Sequence, residues 1–248
     1  MPKKTRLKES DSNEEMRLNK FLSDSGVCSR READRLIENG KVFVDGVKAV
    51  VGMKVTGKQK VICNGINVKQ DSDLVLIALN KPVGIECTSD RKNPDNIIDF
   101  VKYPKRIYTI GRLDKNSEGL ILMTNDGNIV NKISKSVNGH EKEYIVRVNK
   151  PLTKDFIENM EKGVKILDRI TRPCKVKQES RDTFNITLTQ GMNRQIRRMC
   201  EALGYRVVEL KRIRIMNINL GKLKTGTYRN VTKDELDKLL ELIKDSTD

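Results

Sequence analysis

The sequence has no tryptophan, a single histidine and only 4% aromatic residues. A broad aromatic surface for stacking nucleobases, of the kind that RRM and OB domains use, is therefore not expected. His140 and five scattered cysteines, which form no C-x-x-C pair, supply no plausible set of zinc ligands. An odd number of unpatterned cysteines is typical of thiols kept reduced, so we expect a cytoplasmic protein without a metal site.

The chain also lacks long apolar segments. No apolar run approaches the length that crosses a bilayer, and the basic residues 1–6 are not followed by the apolar core of a signal peptide. We therefore expect no membrane partner. The G-x-G-x-x-G and Walker patterns that mark many nucleotide-cofactor enzymes are missing. A methyltransferase would need a glycine-rich turn after an early strand, and the sequence has none.

Positive charge is what the chain has in excess. It carries 49 lysines and arginines against 34 acidic residues, a net charge of +15. Charged residues of both signs make up 33% of the sequence, which favours a folded basic protein over a disordered tail. Such a protein is expected to bind a polyanion, with nucleic acid ahead of a membrane surface. At 248 residues the chain can hold a small domain and a medium one.

The N-terminal part predicts a tail followed by a small folded module. Residues 1–15 are almost wholly polar and predict a disordered tail. Two short amphipathic helices follow, and Ser29 with Glu32 predicts a capping box at the start of the second. The pairs Asp45-Gly46 and Asn64-Gly65, each flanked by β-branched residues, predict two β-hairpins. The polar residues 71–73 then predict a linker.

Three arginines of the second helix, Arg30, Arg31 and Arg35, lie off its apolar stripe. They are compatible with an ordinary solvated helix face and with contacts to phosphate groups. The residues alone leave these two interpretations even.

Residues 111–120 read Gly-Arg-Leu-Asp-Lys-Asn-Ser-Glu-Gly-Leu and join a β-rich segment to an apolar one. Asp114 lies between Arg112 and Lys115, and glycines at both ends allow tight turns. A polar hairpin with aspartate as a turn former is the simpler interpretation. A functional loop between two buried strands is the alternative. Spacing alone favours the turn.

Two further stretches carry candidate residues on strands. The apolar residues 74–79 predict a strand covered on both faces, which leads to Lys81 in a turn. Lys142-Glu143-Tyr144 begins an alternating segment that places Tyr144 on the apolar face. A surface cation and a core tyrosine are the ordinary fates of such residues.

The segment 193–203 predicts a helix with apolar residues at helical spacing. Arg194, Arg197 and Arg198 are predicted to share another face, where they repel one another unless acids or phosphates lie opposite. They form either a basic surface helix or the wall of a cleft.

Taken in chain order, these stretches resemble the motifs of the pseudouridine synthases. Residues 111–120 resemble the catalytic motif G-R-L-D-x-x-[ST]-x-G-L, and residues 80–84, 142–144 and 190–199 resemble its other motifs. Residues 17–45 resemble an S4 RNA-binding domain. The resemblance covers nearly the whole chain from about residue 16.

The resemblance implies an α+β fold in two domains. A small S4 RNA-binding domain (16–70) precedes a linker (71–73) and a catalytic domain (74–248) with a mostly antiparallel, mixed sheet flanked by helices. The implied reaction converts uridine to pseudouridine in RNA by base flipping, without cofactor or metal. Asp114 is expected to act as nucleophile or to deprotonate the sugar, Tyr144 to stack on the uracil, and Arg197 to serve as counter-ion of Asp114.

The remaining candidates are expected to bind substrate or RNA. Arg112 is expected to fill the gap left by the flipped base or to hold a phosphate, and Lys81 to support the cleft. The other candidates are Arg194, Arg198, Arg30, Arg31 and Arg35.

The resemblance further suggests a monomer and a 23S rRNA uridine, free or in a ribosomal assembly intermediate. A tRNA loop or small-subunit rRNA is the alternative substrate. A non-catalytic S4-type ribosome-assembly protein remains the alternative to an enzyme.

Overall fold

The computed structural model describes residues 15–69 and 73–247. The predicted tail up to residue 14 and the linker residues 71 and 72 lie outside this part. The described chain divides into two compact units. The first holds residues 15–69 and 73–75 with the short segments 104–106 and 125–127, and the second holds 76–103, 107–124 and 128–247.

The first unit is built from two helices and six short strands. In chain order these are β1 (Met16–Arg17), α1 (Leu18–Asp24), α2 (Arg30–Glu38), β2 (Val42–Val44), β3 (Val47–Lys48), β4 (Lys54–Val55), β5 (Val61–Cys63) and β6 (Ile66–Val68). Leu18, Phe21 and Leu22 of α1 pack with Ala33 and Ile37 of α2 in one buried cluster. This is the pairing that their helical spacing predicts.

Two hairpins form the small sheet of this unit, whose strand order is β3-β2-β5-β6 with antiparallel neighbours. Asp45 and Gly46 have φ of 50° and 85°, and Asn64 and Gly65 have φ of 50° and 78°. Two successive residues with positive φ make the turn that matches the twist of a two-residue hairpin. Both predicted hairpins are confirmed.

The predicted capping box of α2 forms only in part. Ser29 Oγ accepts a hydrogen bond from the Glu32 amide at 3.1 Å. The Glu32 carboxylate instead accepts from Arg35 Nη1 at 3.4 Å. The predicted second hydrogen bond of the box, from the Ser29 amide to the Glu32 carboxylate, is therefore wrong, because Arg35 takes that carboxylate.

The second unit follows with strands and helices in alternation. These elements are β7 (Leu76–Lys81), α3 (Ile97–Val101), β8 (Tyr108–Ile110), β9 (Glu118–Thr124), α4 (Gly127–Ser134), a 3-10 turn (Ser136–Asn138), β10 (Lys142–Val148), α5 (Lys154–Lys162), β11 (Lys165–Ile166), β12 (Arg169–Ile170), β13 (Lys175–Gln178), β14 (Thr183–Leu188), α6 (Gln195–Ala202), β15 (Val207–Ile215), β16 (Ile218–Asn219), β17 (Tyr228–Asn230) and α7 (Lys233–Leu242).

One nine-stranded mixed sheet organises this unit. Its order is β13-β14-β10-β15-β9-β7-β17, with β16 paired to β15 and β8 paired to β9. Its neighbours are antiparallel except β9 and β15, which pair in parallel through two residues. The strands β7 and β9 are almost wholly buried, as their unbroken apolar runs predict. The predicted α+β fold with a mostly antiparallel mixed sheet is confirmed.

Helices α5 and α6 cover one end of the sheet. Phe156 of α5 lies against Phe184 of β14 and Tyr205, with ring centroids 5.4 and 4.2 Å apart. Met199 and Cys200 of α6 are fully buried in the same cluster. This packing fixes the position of α6 relative to β10 and β15. Within the described ranges, no helix has the length and apolar composition needed to span a membrane.

Candidate active site

A cleft of about 760 Å³ opens in the second unit where β9 meets β15. The loop of residues 111–117 leaves β8, crosses the cleft and enters β9. Further walls come from the start of β10, the loop before α6, and the first turn of α6. The lining includes the predicted Arg112, Asp114, Tyr144, Arg194 and Arg197. The structure thus brings together five side chains that are up to 85 residues apart in sequence, counted from 112 to 197.

Arg197 holds the loop that carries Asp114. It is 6% exposed, and its Nη2 donates to Asn116 O at 2.8 Å and to Ser117 Oγ at 3.3 Å. Ser117 is itself buried, so the hydroxyl has no access to water as an alternative partner. Burial and the nearby Arg194 lower the pKa of Arg197, and Asp114 acts in the opposite direction. A guanidinium remains charged under these conditions.

The backbone of the loop is fixed at other points as well. The Gly84 amide donates to Lys115 O at 2.8 Å, and the Ser117 amide donates to Asp114 O at 3.0 Å. The Lys115 ammonium reaches the Asp95 carboxylate at 2.8 Å. Backbone groups on both sides of Asp114 are therefore paired. The carboxylate is presented from a preorganised loop, which is a requirement for a group that reacts in one geometry.

Asp114 is half-buried, with 35% of its side chain exposed, and Arg194 Nη1 lies 3.9 Å from its Oδ2. This ion pair is long and partly solvated, so it contributes little to stability. Arg197 was expected to be a counter-ion of Asp114. Among the described residues its hydrogen bonds go instead to loop oxygens and to Val207 O, and Arg194 takes the ion-pair position. The charge of Asp114 still acts on Arg197 through space, so the role of Arg197 as a counter-ion stays a prediction.

The predicted common face of Arg194, Arg197 and Arg198 is wrong. Helix α6 begins at Gln195, and Arg194 is its N-cap in the left-handed region, at φ 50°. The helical periodicity therefore does not extend to Arg194, which turns toward Asp114. Arg197 faces the interior, and Arg198 folds back onto Asn193, whose backbone oxygen accepts from its Nε at 3.1 Å.

Tyr144 lies on β10 opposite Ile186 of β14 and Arg212 of β15. Its ring packs on the core cluster beneath the sheet face and borders the cleft. The Arg212 guanidinium carbon lies 6.0 Å from the ring centroid. A flat apolar surface thus lies in the same cleft as a carboxylate, which suits a planar ring held beside Asp114.

Lys81 is fully buried, which contradicts its prediction as a residue that contacts RNA. Its ammonium donates to the carbonyl oxygens of Pro82 and Ile85 at 2.8 and 2.7 Å. Burial lowers the pKa of Lys81. The side chain closes the turn after β7, because it satisfies carbonyls that would otherwise be buried without donors.

Arg212 is a site residue that sequence reasoning missed. It is 2% exposed, and its Nε donates to Leu120 O at 2.7 Å while Nη1 lies 3.5 Å from Arg112 O. These carbonyls flank Asp114, with Arg112 in the loop of residues 111–117 and Leu120 in β9 just after it. The alternation of side chains along β15 could have indicated this position. Arg212 is two residues from the buried Leu210, so both side chains lie on the same face of the strand.

Lys142 was named only as part of the motif around Tyr144, yet it lines the cleft two residues away on the same strand. Its Nζ lies 3.3 Å from His140 O. Burial and, next, the positive charge of Arg212 lower the pKa of Lys142 to about 8. Burial also lowers the pKa of His140, and Lys142 adds to that effect.

Lys142→Met is expected to stabilise the protein at neutral pH. The folded pKa of about 8 lies below the ordinary value of 10.5, so between these values the unfolded chain binds more protons and wild-type stability rises with pH. Below pH 8 the lysine carries a constant penalty of up to ~3 kcal/mol, which methionine removes. Urea unfolding at pH 7 and at pH 10 measures this. The stabilisation should shrink at pH 10, and an equal gain at both pH values would contradict the assigned cause.

Arg30, Arg31 and Arg35 are exposed on α2 of the first unit, as predicted. In the described part of the chain, no three His, Cys, Asp or Glu side chains cluster as metal ligands would. The cleft thus offers two carboxylates, Asp114 and Glu86, together with one aromatic ring and several cations. This set can attract an anionic polymer and attack or deprotonate a sugar.

Comparison with known proteins identifies the two parts of the chain. Residues 75–202 match the model of the RNA pseudouridylate synthase family, and residues 16–62 match the model of the S4 domain. The chain is 54% identical to the dual-specificity RNA pseudouridine synthase RluF of Salmonella typhi over 233 residues, which cover 93% of this chain and 81% of that protein. The same enzyme of Escherichia coli (strain K12) is 54% identical over 234 residues, covering 94% and 81%.

More distant relatives agree. The ribosomal large subunit pseudouridine synthase B of Bacillus subtilis is 38% identical over 235 residues, covering 91% of this chain and 96% of that protein. The crystal structure of a pseudouridylate synthase superposes with a TM-score of 0.67 at 28% identity, covering 90% of this chain and 99% of that one. The chain therefore belongs to the RNA pseudouridylate synthase family and is an RNA pseudouridine synthase that carries an S4 domain.

Proposed function

We propose that this enzyme isomerises a specific uridine of 23S rRNA, using Asp114 as the reacting group on a flipped nucleotide. The observation that carries the proposal is the half-exposed carboxylate on a loop whose neighbouring backbone groups are held by Arg197, Gly84 and Ser117. A side chain fixed in this way can meet the sugar in one orientation, provided that the uridine leaves its stack.

The reaction is a rearrangement that needs no second substrate. The C1′–N1 bond breaks, the base turns, C5 bonds to C1′, and the proton leaves C5 while N1 gains one. In one route the Asp114 carboxylate bonds to C1′ and is later displaced. In the other it removes a proton from the sugar and returns it. Both routes restore the enzyme and balance atoms and charge.

Tyr144 and Arg112 are assigned supporting roles at the nucleotide. The Tyr144 ring, packed from behind by the core, offers a face on which the uracil stacks, and its hydroxyl is available for the transfer of the C5 proton. Arg112 is exposed at the rim and adjoins the loop. It is suited to occupy the gap left by the flipped base or to hold a phosphate. Arg194 and Arg198 add positive charge at the start of α6.

We infer a 23S rRNA target because the sequence shares its motifs with enzymes named for the large ribosomal subunit. The word dual-specificity in the name of the 54% identical relatives makes a tRNA loop the second substrate to test. Small-subunit rRNA is the further candidate. We infer that the enzyme acts as a monomer in the cytoplasm, because Asp114, Tyr144 and Arg194 all reach the cleft from one chain.

The test uses the purified full-length protein and transcripts labelled with [5-³H]uridine, since pseudouridine formation releases the label from C5. Tritium release is expected from a 23S rRNA transcript. It should level off when one uridine per RNA molecule has been converted. Tritium release from only a tRNA transcript or only a small-subunit rRNA transcript would contradict the 23S rRNA target and identify that RNA as the substrate. Binding without release from any RNA would leave the non-catalytic assembly protein as the function.

Arg197→Gln is expected to lower the rate of pseudouridine formation about 10²-fold, because loss of the donors to Asn116 O and Ser117 Oγ lets the Asp114 loop move. Single-turnover tritium release measures the rate, and hydrogen exchange measures loop protection. Arg206→Gln, an exposed arginine near the same core, is the control. A variant with a slow rate but unchanged loop protection would contradict the anchoring role.

Alanine at Arg30, Arg31 and Arg35 together is expected to weaken RNA binding without changing the rate at saturating RNA. Each phosphate contact contributes roughly 0.7 to the slope of log affinity against log salt on single strands, so the slope should fall by about 2. The control removes three exposed lysines instead, Lys222, Lys238 and Lys244. An equal change of slope in both variants would show that net charge alone, and not the α2 surface, binds RNA.

A further inference from the structure

Two cations in the cleft lack an acidic partner. Lys142 on β10 and Arg212 on β15 belong to neighbouring strands, and within the described chain neither forms an ion pair with a carboxylate. The acids closest in sequence to Lys142 are occupied. Glu141 and Glu143 both bind Arg214, at 2.9 and 2.6 Å.

This arrangement is costly in the free protein. The half-buried Lys142 and the buried Arg212 are close enough for their positive charges to repel each other, and each loses hydration. The lowered pKa of Lys142 reflects both effects. A hydrophobic residue at this position would pack without the penalty. The ammonium is retained in a cleft, which points to a negative charge that arrives with the substrate.

Unused hydrogen-bond donors lie in the same place. Arg212 donates from Nε to Leu120 O and from Nη1 to Arg112 O. Its Nη2 is buried without a partner among the described residues. The Nε2 of Gln190, another residue of the cleft lining, is buried and unpartnered as well. A buried donor without an acceptor costs free energy, so such groups at a binding site commonly await a ligand.

The chemistry of the reaction supplies a suitable anion. When the C1′–N1 bond breaks, its electron pair stays with the base, and the detached uracil carries a negative charge spread over N1, O2 and O4. The sugar is then either bonded to Asp114 through C1′ or has lost a proton to it. The charge disappears when C5 bonds to C1′, and N1 is protonated as C5 loses its proton. Tyr144, which we assign to the uracil ring, borders both cations.

We propose that Lys142, Arg212 and Gln190 form an anion subsite that binds the detached uracil as its anion, with Lys142 as the contacting cation. The subsite rests on the proposed function, and it extends that function by assigning the residues that stabilise the leaving base. Arg212 contributes its unpartnered Nη2 as a further donor, while its Nε and Nη1 hold the carbonyl oxygens of Leu120 and Arg112 on either side of Asp114. Fixed charges that meet charge formed during the reaction accelerate it.

The experiment compares wild type with Lys142→Met, Lys142→Arg and the control Lys154→Met, an exposed lysine on α5. Single-turnover tritium release and the dissociation constant are measured on a [5-³H]uridine 23S rRNA transcript. Lys142→Met is expected to slow release at saturating RNA roughly 10²-fold with little change in the dissociation constant, and Lys142→Arg to recover most of the rate. An unchanged rate overturns the subsite. A raised dissociation constant with a normal saturating rate means that Lys142 binds an RNA phosphate, which also overturns it.

A second substrate separates charge stabilisation from a structural role. A transcript with [5-³H]4-thiouridine carries a base that forms a more stable anion, so it depends less on the cations. The ratio of wild-type to Lys142→Met rates is expected to be several-fold smaller on this transcript. The same ratio on both transcripts overturns the proposal. If the wild type releases no tritium from any RNA, the proposed function itself fails, and this outcome is distinct from a failure of the subsite.

Discussion

Asp114→Asn is expected to reduce pseudouridine formation by more than about 10⁴-fold. The amide is nearly isosteric with the carboxylate, but it neither attacks C1′ nor takes a proton from the sugar. RNA affinity should be unchanged or slightly tighter, because the variant removes a negative charge from a basic cleft that borders Arg194 and Lys142. Tritium release and a binding titration on the same transcript measure the two effects.

Asp168→Asn is the matched control for this variant. Asp168 lies exposed in the turn between β11 and β12 at φ 61°, a conformation that asparagine also adopts readily. The same chemical change there should leave the rate intact. Residual activity of Asp114→Asn near the wild-type level would show that another group reacts with the nucleotide. A parallel loss of RNA binding would show instead that the substitution disturbs the cleft.

Gly119→Ala is expected to destabilise the second unit by ~3 kcal/mol or more. Gly119 has φ of 105°, and it pairs with Arg212 at the parallel junction of β9 and β15. A Cβ at this position would overlap the Arg212 carbonyl oxygen and lie 2.7 Å from its nitrogen. Relief requires the two strands to separate, and their junction carries the Asp114 loop. Urea unfolding measures the loss, and tritium release should fall with it.

Comparison with Gly84→Ala separates the steric clash at Gly119 from the backbone strain that alanine has at a positive φ. The φ of Gly84, 94°, is similar, but a Cβ there has nothing within 4 Å. Gly84→Ala should cost only the strain of the positive φ, about 1–2 kcal/mol. If the two alanine variants lose the same stability, close approach of the strands is not the reason for glycine at position 119.

The features that were predicted correctly are local in sequence. Asp45-Gly46 and Asn64-Gly65 define hairpins because two adjacent residues determine the turn. The apolar run of β7 favours a strand buried on both faces, because it is short for a helix and a turn follows it. In each case the interacting residues are neighbours in the chain.

The site was predicted less well, because its contacts join distant segments. Periodicity placed Arg194 and Arg197 on one helical face, but α6 begins at Gln195, and Arg194 precedes it in the left-handed conformation. Arg194 therefore lies near Asp114, whereas Arg197 is buried behind the loop. The partner of Arg197 is a loop 80 residues away, which spacing within the helix does not reveal. Lys81 was expected to support the cleft and to bind substrate or RNA. Its full burial was not foreseen, because the carbonyls of Pro82 and Ile85 become its acceptors only when the turn folds.

We propose that this protein makes pseudouridine in large-subunit rRNA through Asp114, and one comparison of strains tests this directly. Carbodiimide modification followed by primer extension maps pseudouridines along that RNA in cells with the intact gene, without the gene, and with Asp114→Asn. We predict that one stop is present in the first strain and missing from both others. A stop that vanishes with the gene but persists in Asp114→Asn would contradict the role of the carboxylate, and an identical pattern in all three strains would contradict the 23S rRNA target.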